Sequence, residues 1–153
     1  MTTMNFFDAI RMGNLEEVKA QIAANPTIAQ TMDARGFTPL VMATYSAQLP
    51  IVKALLMAGA DIDDQAASGN TALMGVCFKG SEEMVQLLLD HGAAVNIQNE
   101  QGATALTFAA TYGHTKVARM LLEAGADKSL KDADGKLALN HAKHQEIAEL
   151  LKD

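Results

Sequence analysis

Few side chains in this sequence stand where chemistry would need them. His141 and His144 lie three residues apart, a spacing that could offer two imidazoles to one metal ion. No cysteine or third ligand stands at a workable distance in the sequence, so the pair reads as solvated or packed in preference to a zinc site. Asp61, Asp63 and Asp64 have the acid content of a calcium loop without its glycine at loop position 6 or its glutamate at position 12, and they read as a solvated connection. His114 follows Gly113 and reads as a capping or bridging hydrogen-bond residue. Cys77 has no activating base nearby in the sequence and reads as a buried, inert thiol. No phosphate-binding glycine loop, Gly-x-Ser-x-Gly elbow or His-Glu-x-x-His helix is present. The expectation is a non-enzymatic chain with no cofactor and no metal.

Composition points the same way. The chain has 153 residues, 49% hydrophobic and 20% charged, with five Phe, two Tyr and no Trp. Seven aromatics are few anchors for one large core, so Ala, Leu, Met, Val and Ile must build it in thin helical layers. A formal net charge of −6 without a Lys/Arg cluster gives no attraction to phosphate backbones or anionic lipid, so nucleic acid and membrane are expected not to be partners. One cysteine cannot make an internal disulfide, which suits a reducing compartment. The first residues lack a basic segment followed by an apolar stretch, and no run approaches the roughly 18 apolar residues of a membrane span. A cytoplasmic protein is expected.

The organisation is periodic. Gly36, Gly69, Gly102 and Gly135 are spaced by 33, as are Gly59, Gly92 and Gly125, and Gly80 and Gly113 form a third pair at that interval. Nine of the eleven glycines therefore obey one period, and Leu40, Leu73, Leu106 and Leu139 keep the same phase. The unit is clearest from Asn99 to Lys131. A polar turn around Gly102 leads to Thr104, an N-cap in phase with Thr38 and Thr71, and a short first helix carries Leu106, Ala109 and Ala110. After a break at Gly113-His114, Val117, Leu121 and Leu122 share one face of a second helix, as do Ile51, Leu55 and Leu56 and also Met84, Leu88 and Leu89. Carboxylates at Glu16, Glu17, Glu82, Glu83 and Glu146 favour helix starts, and Gly59, Gly92 and Gly125 are placed to end second helices in the left-handed conformation. Neither helix buries its stripe alone, so the units must stack.

Thr38-Pro39-Leu40, Thr71-Ala72-Leu73 and Thr104-Ala105-Leu106, with Gly113-His114 and Leu121-Leu122-Glu123-Ala124-Gly125-Ala126-Asp127, closely resemble the ankyrin repeat over nearly the whole chain. The resemblance implies an all-α solenoid of about five repeats joined by β-turn or hairpin connections. They form a single domain over 1–153, divided as 1–32 (an N-terminal cap), 33–65, 66–98, 99–131 and a shortened C-terminal cap at 132–153. In the first copy Gly13-Asn14-Leu15 begins a second helix, and Asn25-Pro26 stands where the terminal glycine would be. The fifth copy lacks three residues after Lys143, which predicts fused helices or a cramped turn. The family often has His after Thr-Pro-Leu, bonding between turns. Val41, Met74, Thr107 and Asn140 replace it here, which predicts a weaker polar network between turns and more reliance on packing.

The family binds proteins through the concave side formed by turn tips and first helices. Carried over phase by phase, this gives Arg11 and Met12 in the first copy, then Arg35, Phe37, Tyr45 and Ser46, then Asn70, Phe78 and Lys79, then Gln101, Thr111 and Tyr112. Four of the seven aromatics fall on these phases, beside Arg and Lys, which is the composition of an interface centre. The competing reading is that Tyr45, Phe78 and Tyr112, at the ends of first helices, fold over the next repeat as local packing. The implied function is a protein–protein interaction module, monomeric, of inhibitor, immunity or adaptor type. A self-associating repeat protein or an enzyme with an atypical concave site are the alternatives.

Overall fold

A computed structural model describes residues 4–152. Its helices follow the period. The first copy holds α1 (Phe6–Met12) and α2 (Leu15–Ala24), and the second α3 (Pro39–Tyr45) and α4 (Leu49–Met57). The third holds α5 (Ala72–Lys79) and α6 (Glu82–Asp90), and the fourth α7 (Ala105–Thr111) and α8 (Thr115–Glu123). The fifth contributes α9 (Gln145–Leu151). No strand occurs among the described residues; the connections are turns.

Each boundary has a local cause. The hydroxyls of Thr38, Thr71 and Thr104 accept from the amides of Val41, Met74 and Thr107, so each first helix starts at the same phase. Gly59, Gly92 and Gly125 adopt φ of 91°, 85° and 100° at the ends of the second helices, the left-handed geometry expected of them. The two helices of a unit pack together. First helices then stack in one layer, α1 on α3, α3 on α5 and α5 on α7, and second helices form another, with α2 against α4, α6 against α8 and α8 against α9. The core between the layers is aliphatic, with Ile10, Ile51, Leu55, Leu73, Leu88, Leu106, Leu121 and Ile147 fully buried. Leu56, Leu89 and Leu122 pack half-buried at its edge.

The ends depart from the pattern. Asn25 closes α2 at φ −151°, not in the left-handed region, because the chain passes directly into a 3-10 turn at Pro26–Gln30. In the fifth copy the helices are not fused. The first shrinks to a single 3-10 turn, Ala138–His141, and three residues lead to α9.

The expected weakness of the polar network between turns is corrected. Val41 and Met74 are buried, and Thr107 and Asn140 turn back on their own unit, accepting from the amides of Thr104 at 3.0 Å and Leu137 at 2.7 Å. Other groups carry the inter-turn bonds. Ala67 N–H donates to the Gly36 carbonyl at 2.8 Å, Glu100 N–H to Ser68 at 3.1 Å and Ala133 N–H to Gln101 at 2.9 Å. Asn99 Nδ2 donates to Asn70 Oδ1 at 2.8 Å, and Gln98 Nε2 to the Lys131 carbonyl at 2.9 Å. Behind the tips, Asp63 and Asn96, 33 residues apart, accept from the amides of Ala94 and Asp127, each at 2.8 Å. Backbone and amide side-chain bonds therefore join successive tips without an imidazole at that phase.

Candidate protein-binding face

The turn tips and the C-terminal ends of the first helices share one side of the stack. Each tip is pinned at its base by one pair, Asp33 N–H to the Phe37 carbonyl, Ala66 to Asn70, Asn99 to Ala103 and Asp132 to Lys136, all at 2.9 Å. Asp33 Oδ1 also accepts from the amides of Arg35 and Phe37, which fixes where both side chains leave the tip. Because tip and helix end recur with the repeat, equivalent side chains of successive copies become neighbours.

The four aromatics singled out by phase meet one another. Phe37 meets Tyr45 edge-to-face at 6.0 Å between centroids, Tyr45 meets Phe78 at 6.0 Å, and Phe78 meets Tyr112 at 4.7 Å. This is a continuous row across three units. Edge-to-face pairs contribute roughly 0.5–1.5 kcal/mol beyond their buried area, so the row is a local packing element as well as a surface. Phe37, Tyr45 and Phe78 are half-buried in it, while Tyr112 remains 46% exposed. Asn70 links the row to the tips, donating from Nδ2 to the Tyr45 hydroxyl at 3.1 Å and accepting from Asn99 at 2.8 Å. Arg35 lies over the Phe37 ring at 5.4 Å and Lys79 over Phe78 at 5.9 Å, both within cation–π range.

Not every expected site residue joins this row. Arg11 is exposed and pairs with Asp8, beside an open depression of about 520 Å³ that also borders Asp33 and Arg35. Met12 is 67% exposed, and Ser46 is half-buried as the C-cap of α3. Gln101, Thr111 and Tyr112 line a groove of about 180 Å³ with Asn99, Thr107 and Phe108. Sequence reasoning missed Phe108, whose ring lies nearly parallel to Tyr112 at 6.4 Å and 13°. Its phase is occupied by Gly75 one copy earlier, where a Cβ would sit 2.8 Å from Thr44 Oγ1 and 3.7 Å from the Tyr45 ring, so periodicity gave no signal for an aromatic there. The missed Asn70–Asn99 link could have been found from the spacing of two polar side chains at successive tips.

The remaining candidates have structural partners. His114 Nε2 lies 3.1 Å from the Phe78 carbonyl, a bond between repeats, and makes no side-chain cap. His141 and His144 diverge: His141 Nε2 meets Asp132 Oδ2 at 2.7 Å, and the His144 ring covers Gly113. Three amides or imidazoles bond the Asp132 carboxylate, Lys136 N–H foremost, then His141 and Asp134, and hold its pKa below the ordinary aspartate value. Cys77 is fully buried, and desolvation pushes its thiol well above the ordinary value, away from nucleophilic thiolate chemistry. Among the described residues no group of three or more His, Cys, Asp or Glu side chains is placed to hold a metal ion, and no helix is long and apolar enough to cross a membrane.

A two-layer stack of helix pairs with turn tips aligned along one side defines a helical repeat solenoid. Comparison with known families identifies it further. The model for ankyrin repeats in three copies matches residues 57–132, the single ankyrin repeat model matches residues 35–67, and the chain belongs to the ankyrin repeat family. Ankyrin repeats are generally protein–protein interaction modules. The chain is also similar to ankyrin repeat and SAM domain-containing protein 6 of Rattus norvegicus, 37% identical over 71 residues, and of Mus musculus, 40% identical over 71 residues. Each match covers 46% of this chain and 8% of the relative, so the likeness concerns the repeats alone.

Proposed function

We propose that the protein is a non-enzymatic binding module whose ligand is another protein, held against the turn tips and first helices. The observation that carries this reading is the row Phe37, Tyr45, Phe78 and Tyr112, which spans three units, carries Arg35 and Lys79 over its Phe37 and Phe78 rings and leaves Tyr112 46% exposed. Aromatic and arginine side chains dominate the energetics of protein interfaces. The fold needs the edges of these rings for local packing and leaves their remaining surface to a partner. Among the described residues along this side the groups that could act in catalysis are spread over successive copies and do not converge in one enclosed pocket, which supports binding over turnover.

The protein acts by occupancy, as an inhibitor, immunity-type or adaptor protein, as a monomer in the cytoplasm. Its single buried thiol suits a reducing compartment. The test is capture of host proteins on wild type, on Tyr112→Ala and on a Phe37/Tyr45/Phe78 triple alanine variant, with circular dichroism to establish the fold of each. A partner recovered by wild type and lost from the folded variants is the expected result. Equal recovery by all three would move binding to another surface. Light scattering on the purified protein separates a monomer from a self-associating one.

A further inference from the structure

We infer that the partner segment is acidic at one end and apolar at the other, its carboxylates set against Arg35 and Lys79 and its apolar side chain in the groove that Phe108 and Tyr112 line. This rests on the tip and first-helix face being the binding face. The chain as a whole is anionic, with a formal net charge of −6, yet the charges held on the aromatic row are both cations. Among the described residues neither Arg35 nor Lys79 makes an ion pair, whereas Arg11 close by is paired with Asp8. Two carboxylates border the depression beside Arg35 and both are engaged, Asp33 accepting from two tip amides and Asp8 paired with Arg11. A cation lying on a ring has already given up water on the ring side, so a carboxylate arriving at its open side has less hydration to displace than at a fully solvated cation.

The other end of the row differs in chemistry. The groove beside Tyr112 holds about 180 Å³, the scale of one side chain, and its walls are the Phe108 and Tyr112 rings with the neutral Asn99, Gln101, Thr107 and Thr111. Glu100 stands exposed at the tip next to it and disfavours a carboxylate there. Cations towards the second and third units, and an uncharged aromatic groove with an acid beside it in the fourth, give the face a direction. A ligand matching it carries Asp or Glu towards the N-terminal units and one aliphatic or aromatic residue towards the fourth.

Selection of a phage library of random short peptides on the immobilised full chain tests this directly. The expected outcome is a consensus with clustered Asp or Glu on one side of an apolar residue. A synthetic consensus peptide should then lose affinity on the order of tenfold on R35E/K79E, less on R35Q/K79Q, and should weaken as salt rises. Both positions are exposed or on exposed side chains, so the variants retain the fold. A neutral or basic consensus, or no consensus, overturns the inference. Loss on Tyr112→Ala with no change on R35E/K79E would keep the binding face and overturn the acidic ligand. Indifference to both would overturn the binding face itself.

Discussion

Ala47 adopts φ of +56°, the one non-glycine among the described residues in the left-handed region. It occupies the phase of Gly80 and Gly113, at the break between first and second helix, where those glycines take φ of 81° and 74°. There the glycines also make room for a ring: a Cβ at Gly80 would meet the His114 imidazole at 2.5–2.8 Å, and one at Gly113 the His144 Nε2 at 2.5 Å. In the unit after Ala47 the phase of the His114 ring is held by Ser81, whose hydroxyl instead accepts from Met84 N–H to cap α6. Ala47 is thus tolerated sterically but strained in its backbone. Ala47→Gly should stabilise the protein by about 1 kcal/mol, read as a raised thermal midpoint, since an L-residue in this region costs roughly 1–2 kcal/mol and glycine returns part of that as chain entropy. A second residue-scale expectation separates packing from binding. Tyr45 is half-buried and accepts from Asn70, so Tyr45→Ala should lower stability by about 1–2 kcal/mol whatever the row binds. Tyr112, 46% exposed but paired with Phe78 and Phe108, should lose about 1 kcal/mol of stability on truncation to Ala while costing about 2 kcal/mol or more in partner affinity. A Tyr112→Ala variant that melts far lower and binds as before would assign the ring to the stack alone.

At the scale of the helix and turn, the glycines that share one period do two different jobs, which the sequence did not distinguish. Gly125 ends α8 with φ of 100° and open space around it, so only its backbone conformation is demanding. Gly102 has φ of 76° and, in addition, a Cβ there would lie 2.7 Å from Asp132 Cα and 2.8 Å from Ala133 N, in the backbone of the next tip. Gly125→Ala is expected to cost about 1 kcal/mol, whereas Gly102→Ala should cost about 3 kcal/mol, because the adjoining tip must move and its Ala133 to Gln101 bond must break. Equal losses in denaturant titrations would show that the tips are not held at this separation. The same contrast explains what could be read in advance. Thr38, Thr71 and Thr104 announce first helices because capping is local, and the aromatic phases of Phe37, Tyr45, Phe78 and Tyr112 follow from counting. The inter-turn bonding was misjudged because it depends on how closely two backbones approach, which no single position encodes. Phe108 was missed because only the contact between copies, Gly75 yielding to Thr44 and Tyr45, makes its phase variable.

Over the whole molecule, a stack in which each unit touches only its neighbours should open from its weaker end. The fifth unit is that end. Its first helix is one 3-10 turn, its second has seven residues, and its buried apolar side chains are Ala138, Ile147 and Leu151, against six residues of α5 alone buried in the third unit. Part of its order comes from Asp132, whose carboxylate accepts from Lys136 and Asp134 amides and from His141, and whose side chain is 10% exposed. Those bonds lower the carboxyl pKa in the folded state, so their contribution is complete above the unfolded aspartate value of about 4 and is lost as pH falls through the lowered folded value. Hydrogen exchange should therefore show α9 less protected than α6 at neutral pH. On acidification below about pH 4 the Asp134 and Lys136 amides should lose protection factor before the central helices do. Asp132→Asn, which keeps the shape and removes the charge, should show the reduced protection already at neutral pH and abolish this acid step. Uniform protection from α3 to α9, unchanged by the substitution, would mean that the stack opens as one cooperative body, with its end unit held as firmly as its centre.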